Sequence, residues 1–229
     1  MPDPKLIPPA AVLWDLDGTL VDTEPAWILA ETELAARYDA PWTEEDAAAL
    51  VGSALPHAAA TLQARGVPLE NHAIIEFLLE RVLQSVAVEV PWQPGARALL
   101  ERLGEAAIPC ALVTMSYRVL ADEILRSAPP GVFGVSVTGD EVTEGKPHPE
   151  AYLKAAAPLG VDIARCVAVE DSPTGLASAE ASGARVIGVE HIVAVAAAPG
   201  RSRLSTLVGL SLDDLARIAG GEPLDRLGS

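Results

Sequence analysis

The sequence predicts an α/β fold: a Rossmann-like, doubly wound parallel sheet core with an inserted all-helical cap. Three observations carry this. Short, very apolar runs recur along the chain, stretches with helical periodicity separate them, and the alternation breaks once, between residues 22 and 93, where everything reads as helix.

Taken in order, Ala11-Val12-Leu13-Trp14 is a buried strand ending at Asp15. The insert follows. Trp27, Ala30, Leu34 and Tyr38 share one helical face, Thr43 with Asp46 reads as an N-cap with an acidic first turn, and Pro56 to Arg65 ends at Gly66. Ile74, Ile75, Leu78, Leu79, Val82 and Leu83 form a further apolar stripe. Pro94-Gly95 opens a helix through Leu99, Leu100 and Leu103, Cys110 to Val113 is the second strand, and Arg118 to Arg126 is helical. Strands are expected at 135–137, 166–169 and 185–189. Between them Pro149 suits the first position of a helix carrying Tyr152, Leu153 and Ala156, and Thr174 to Ser182 closes at Gly183. The expected division is therefore 1–21 and 94–229 for the core and 22–93 for the cap.

With 229 residues, half of them apolar, the chain can fill a large core. A net charge of −16 repels polyanions, which excludes nucleic acid as an expected partner, whereas a small anionic substrate needs only a local cation. No apolar run suits a bilayer, and the opening residues, with Pro2, Pro4, Pro8 and Pro9, lack a signal-peptide layout. Cys110 and Cys166 sit in apolar runs as expected buried free thiols. A cytoplasmic protein, monomeric or weakly self-associating, is the expectation.

Ligands of open parallel sheets bind beyond the carboxyl ends of the strands, where strand order reverses. Asp15 and Asp17 follow the first strand, Thr114 and Ser116 the second, and Glu170 and Asp171 the fourth. Four carboxylates in one crevice need a cation, and in a chain with lysine only at 5, 146 and 154 the local candidate is Lys146. Clustered carboxylates suit Mg²⁺. Such a site fits phosphoryl transfer: one carboxylate can attack phosphorus while a second acid protonates the leaving oxygen. Read singly, Thr114 and Ser116 could be ordinary strand residues, and Glu170 and Asp171 could merely cap the next helix.

Asp15-Leu16-Asp17-Gly18-Thr19-Leu20, Thr114, Gly145-Lys146-Pro147 and Glu170-Asp171-Ser172 together resemble the four ordered motifs of the haloacid dehalogenase superfamily, across essentially the whole chain. The insert resembles the small cap of its β-phosphoglucomutase-like branch, which also holds sugar phosphatases. The resemblance implies Asp15 as nucleophile and Asp17 as general acid/base. It places Mg²⁺ on Asp15, the Asp17 carbonyl, Glu170 and Asp171. Thr114 and Lys146 then hold phosphoryl oxygens, with Ser116 and Gly18 beside them as further phosphate-site candidates; Gly18 and Thr19 turn the chain toward the cap.

Within that family, Asp17 argues against dehalogenation, which needs no acid, and the lysine-free cap argues against phosphonatase chemistry. Mutases place a cap arginine three residues after a glycine, where Gly52-Ser53-Ala54-Leu55 has Leu55, and carry a histidine where Trp27 stands. The implied function is hydrolysis of a small phosphorylated metabolite, a sugar phosphate being the leading class. A phosphomutase is the alternative, and a non-catalytic small-molecule sensor the rival of a different kind. Arg37, Arg65 and Arg81 bear on the mutase only if folding turns one inward. Asp22, Thr23 and Glu24 read as hinge and capping residues, Trp27 as packing, and the four histidines as uninvolved.

Overall fold

Residues 6–227 are described in the computed structural model; Pro2, Pro4 and Lys5 lie outside the described residues. The core is one six-stranded, wholly parallel sheet. Its strands are β1 (Val12–Trp14), β2 (Cys110–Val113), β3 (Phe133–Val137), β4 (Val167–Glu170), β5 (Arg185–Val189) and β6 (Arg201–Leu204), in spatial order β3-β2-β1-β4-β5-β6. The chain builds outward from β1 to β3, then returns to the other side of β1 to lay down β4 to β6. The reversal falls between β1 and β4, where a parallel sheet opens its binding crevice.

Both faces are covered, which is why the central strands are apolar throughout. Alternation along β1 sends Val12 and Trp14 into one core cluster, with α5 (Ala96–Glu105), α6 (Arg118–Leu125) and α9 (Leu212–Ala219). Leu13 enters the other, under α7 (Glu150–Leu159) and α8 (Pro173–Ser182).

The insert is helical as expected: α1 (Glu24–Arg37), α2 (Glu44–Ala48), α3 (Leu55–Ala64) and α4 (Asn71–Val88). Thr43 and Asp46 form a reciprocal capping box. The two connections run side by side. Asp22 N–H donates to the Pro91 carbonyl and Gln93 N–H to the Leu20 carbonyl, each at 2.8 Å, and Val21 bridges Trp92.

Several expectations change. β6 and α9 are additional elements; β6 alternates arginines with inward Ser202 and Leu204 and lies at the sheet edge, so it lacks an apolar run. β3 begins earlier, at Phe133. Pro149 is the N-cap of α7 rather than its first residue, and Leu153 points outward at 45% exposure. Tyr38 caps α1 at 40% exposure because the helix ends at Arg37, leaving the stripe to Trp27, Ala30 and Leu34. Cys110 and Cys166 are buried free thiols. No described helix is long and apolar enough to cross a membrane.

Candidate active site

Register brings the site together. Trp14 pairs with Leu112 and Val169, so Asp15, Val113 and Glu170 lie level across three adjacent strands. Asp15 N–H donates to the Val169 carbonyl at 3.0 Å, which fixes that level. The Lys146 ammonium reaches all three: Asp15 Oδ1 at 2.6 Å, the Val113 carbonyl at 2.9 Å and Glu170 Oε1 at 2.5 Å. Its three donors are thereby committed. Tyr152, from α7, donates its hydroxyl to the same Glu170 oxygen at 2.5 Å.

Asp15, Glu170 and Asp171 each place a carboxylate oxygen within 4.8 Å of the others, all three residues buried. Burial and the Glu170 charge raise the Asp15 pKa to about 7, against the pull of Lys146. Burial, reinforced by Asp15 and Glu170, holds Asp171 well above the usual carboxylate range. Burial acts to lower Lys146, but the charges of Asp15 and Glu170 outweigh it and keep the ammonium protonated. One cation does not neutralise three acids. Glu170 Oε2 is buried with no hydrogen-bond partner among the described residues. An all-oxygen donor set with an orphaned oxygen fits a hard divalent cation such as Mg²⁺.

Two glycines make room for these carboxylates. A Cβ on Gly18, whose φ of +82° already favours glycine, would lie 2.1 Å from Asp171 Oδ2, and one on Gly175 would lie 1.9 Å from Glu170 Oε2. Thr19 donates to Asp171 Oδ1 at 3.0 Å. Helix α8 is capped by Ser172, whose hydroxyl accepts from Gly175 N–H at 3.1 Å, so Glu170 and Asp171 are not its caps.

Asp17 points away from the acidic trio, toward the cap. Its Oδ2 accepts from Ser116 at 2.7 Å and Thr114 at 3.3 Å, and its Oδ1 from Thr23 at 2.6 Å and the Trp27 indole N–H at 3.0 Å. Thr114 and Ser116 therefore act first on Asp17, with Ser116 N–H donating to the Thr114 hydroxyl at 3.0 Å. Thr23 precedes α1 but makes no side-chain cap; its hydroxyl serves Asp17 instead. Trp27, expected to pack, packs and also donates. His191 Nε2 meets Asp22 Oδ1 at 2.9 Å beside the hinge.

One cavity between core and cap is lined by Asp15, Asp17, Thr114, Ser116 and Lys146 from below. From above, α1 contributes Glu24, Trp27, Ile28 and Glu31, the successive positions of one helical face. The remaining cap wall is mostly apolar and includes Leu50, Val51 and Leu55. Burial, with Asp17 adding repulsion, raises Glu24 to about 8; burial alone raises Glu31 to about 8. The cap wall holds no cation. Arg37 and Arg81 bind Glu33 and flank the Phe77 ring, and Arg65 pairs with Asp46.

A family profile described as haloacid dehalogenase-like hydrolase matches residues 9–183. The chain is 38% identical over 185 residues to hexitol phosphatase A of Escherichia coli (strain K12), covering 77% of this chain and 81% of that one. It is 35% identical over 192 residues to the phosphorylated carbohydrates phosphatase of Thermotoga maritima, covering 79% and 85%. Among solved structures, CbbY from Rhodobacter sphaeroides in complex with phosphate superposes with a TM-score of 0.79 at 28% identity, over 88% of this chain and 96% of that one.

Proposed function

The chain belongs to the haloacid dehalogenase-like hydrolases, and from that premise we propose that it is a magnesium-dependent phosphatase of small phosphomonoesters, sugar phosphates foremost. The observation that carries the reading is the cavity shared by the Asp15 and Asp17 carboxylates, with Lys146 at its floor and, among the described residues, no cation in its cap wall. Residues 22–93 serve as the cap and 1–21 with 94–229 as the catalytic core; the paired connections at 20–22 and 91–93 support these bounds.

An Asp15 carboxylate oxygen attacks phosphorus, the ester P–O bond breaks, and Asp17 gives its proton to the departing alkoxide. Water then attacks the phosphorus of the aspartyl phosphate. Asp17 takes its proton, the bond to Asp15 breaks, and inorganic phosphate leaves. Lys146 keeps Asp15 in line through the hydrogen bond to Oδ1, so one oxygen is held while the other is left to react. Thr23, Trp27, Thr114 and Ser116 hold the two oxygens of Asp17 toward the cavity, where the leaving group departs, and in the acid form one of the three hydroxyls gives up its bond so that the carboxyl proton can face the leaving oxygen. Mg²⁺, held by Asp15, Glu170, Asp171 and the Asp17 carbonyl, would supply the positive charge that offsets a phosphoryl group in this acidic crevice. Thr114, Ser116, Lys146 and Gly18 make up the surroundings of that phosphoryl group.

The cap supports hydrolysis rather than mutation. A mutase must grip a second phosphate, and Leu55, Glu24 and Glu31 cannot. Names of the relatives, a hexitol phosphatase and a carbohydrate phosphatase, agree with this reading. The test supplies a hexose 1-phosphate with Mg²⁺ and follows inorganic phosphate and hexose 6-phosphate. Free phosphate is expected. Isomer without free phosphate decides for the mutase, and turnover of Asp15→Asn at the wild-type rate removes the covalent route.

A further inference from the structure

Glu31 occupies an unusual position in the cavity wall. It is 5% exposed, lines the same cavity as Asp15, and its Oε2 is buried without a hydrogen-bond partner. A buried carboxyl lacking a partner costs free energy, so a position like this is occupied at a loss until something donates to it. No described residue does so. The surrounding cap wall is apolar at Leu50, Val51 and Leu55, and the other ionisable group there, Glu24, is also an acid. Lys146, at the opposite end, already has its donors committed to Asp15, Val113 and Glu170.

We propose that Glu31 is the specificity-determining residue of the cap, accepting hydrogen bonds from hydroxyl groups at the end of the substrate remote from its phosphate. The substrate class is then the monophosphate ester of a neutral, polyhydroxylated carbon chain. This inference rests on the phosphatase reading and adds to it which esters the cavity takes. Hydroxyls supply the donors that the apolar wall lacks. A second phosphate or a carboxylate would give up its hydration against a largely apolar wall that offers it no cation, and is disfavoured. Burial favours the neutral carboxyl, which donates as well as accepts; this suits a hydroxyl better than an ammonium group, whose natural partner is an ionised acid. Sites built to bond a substrate hydroxyl discriminate strongly against analogues without it, because the buried group is then left unpaired.

The test compares wild type, Glu31→Leu and Glu31→Gln on three probes: sorbitol 6-phosphate, n-hexyl phosphate and sorbitol 1,6-bisphosphate. Wild type should prefer sorbitol 6-phosphate over both others. In Glu31→Leu the kcat/KM ratio of sorbitol 6-phosphate to n-hexyl phosphate should fall about tenfold or more, mainly through KM, while Glu31→Gln, which keeps an acceptor oxygen, retains most of it. Calorimetric binding of the same probes to Asp15→Asn, with and without Glu31→Leu, reads the preference without turnover. If none of the probes releases phosphate but the binding preference depends on Glu31, the phosphatase reading falls and the Glu31 assignment stands. A ratio unchanged by Glu31→Leu in both assays, or a bisphosphate taken as well as the monophosphate, overturns the assignment.

Discussion

Replacing Glu31 by Gln should change how the stability of the protein depends on pH. In the folded chain the carboxyl of Glu31 keeps its proton up to about pH 8, against 4.5 for an unperturbed glutamate, and the cause is burial alone. Between those values the unfolded chain releases a proton that the folded chain retains. Stability from this group is therefore complete below pH 4.5 and is lost as pH rises through about 8. At about 1.4 kcal/mol for each pH unit in that interval, the loss is at most about 5 kcal/mol. Water reaching the carboxylate from the open cavity offsets part of it, leaving an expected effect of about 2–4 kcal/mol. Glutamine has nearly the same shape and does not titrate. Urea unfolding followed by circular dichroism should give nearly equal stabilities for wild type and Glu31→Gln at pH 4, and a more stable variant at pH 8.5. Parallel behaviour at both pH values would mean that Glu31 ionises freely in the folded state, and the reasoning from its burial would fail.

Three further outcomes are expected. Trp27→Phe keeps the packing ring but removes the 3.0 Å bond to Asp17; kcat should drop about tenfold, the worth of a hydrogen bond to a charged group, and more for esters with poor leaving groups. Equal rates for both proteins across leaving groups would deny Trp27 that positioning role. Gly175→Ala drives a Cβ into the Glu170 carboxylate, and its free energy of unfolding in urea should fall by about 1–3 kcal/mol; a stability equal to wild type would show that the carboxylate can move aside. Mg²⁺ at about 100 times its dissociation constant should stabilise wild type by about 2.7 kcal/mol, a rise of several degrees in Tm. Asp171→Asn should lose most of that rise, and if it does not, the acidic trio is not the metal site.

What could be read from sequence was whatever one short segment reports about itself. β1, β2, β4 and β5 are buried on both faces, so their apolar runs announce them, and the polar residues that follow β1, β2 and β4 mark the crevice. Edge strand β6 has no such run, because Arg201 and Arg203 extend to Glu180 and Asp225. The site residues that escaped notice depend on orientation across segments. Tyr152 reads as one apolar position on α7, and only folding aims its hydroxyl at Glu170, eighteen residues away. Thr23 and Trp27 stand six and ten residues from Asp17, but which way α1 leaves the hinge decides that they meet it. Glu31 was within reach of pattern alone. Glu24, Trp27, Ile28 and Glu31 form an i, i+3, i+4, i+7 set, and two acids on such a face signal a wall that is not ordinary core.

The grip on Asp17 has a consequence for how the two halves of the molecule communicate. One oxygen is held by Thr114 and Ser116, from the strand floor, and the other by Thr23 and Trp27, from the hinge and the first cap helix. Swinging the cap away would release one oxygen and leave the other tethered, so the carboxylate would lose its aim without leaving the site. Under the proposed mechanism Asp17 would then act as a two-key lock, delivering its proton only when floor and lid are both in place. Chemistry would then be timed to the moment when the cavity is shut, and a spent or half-bound ligand would find the acid already turned aside.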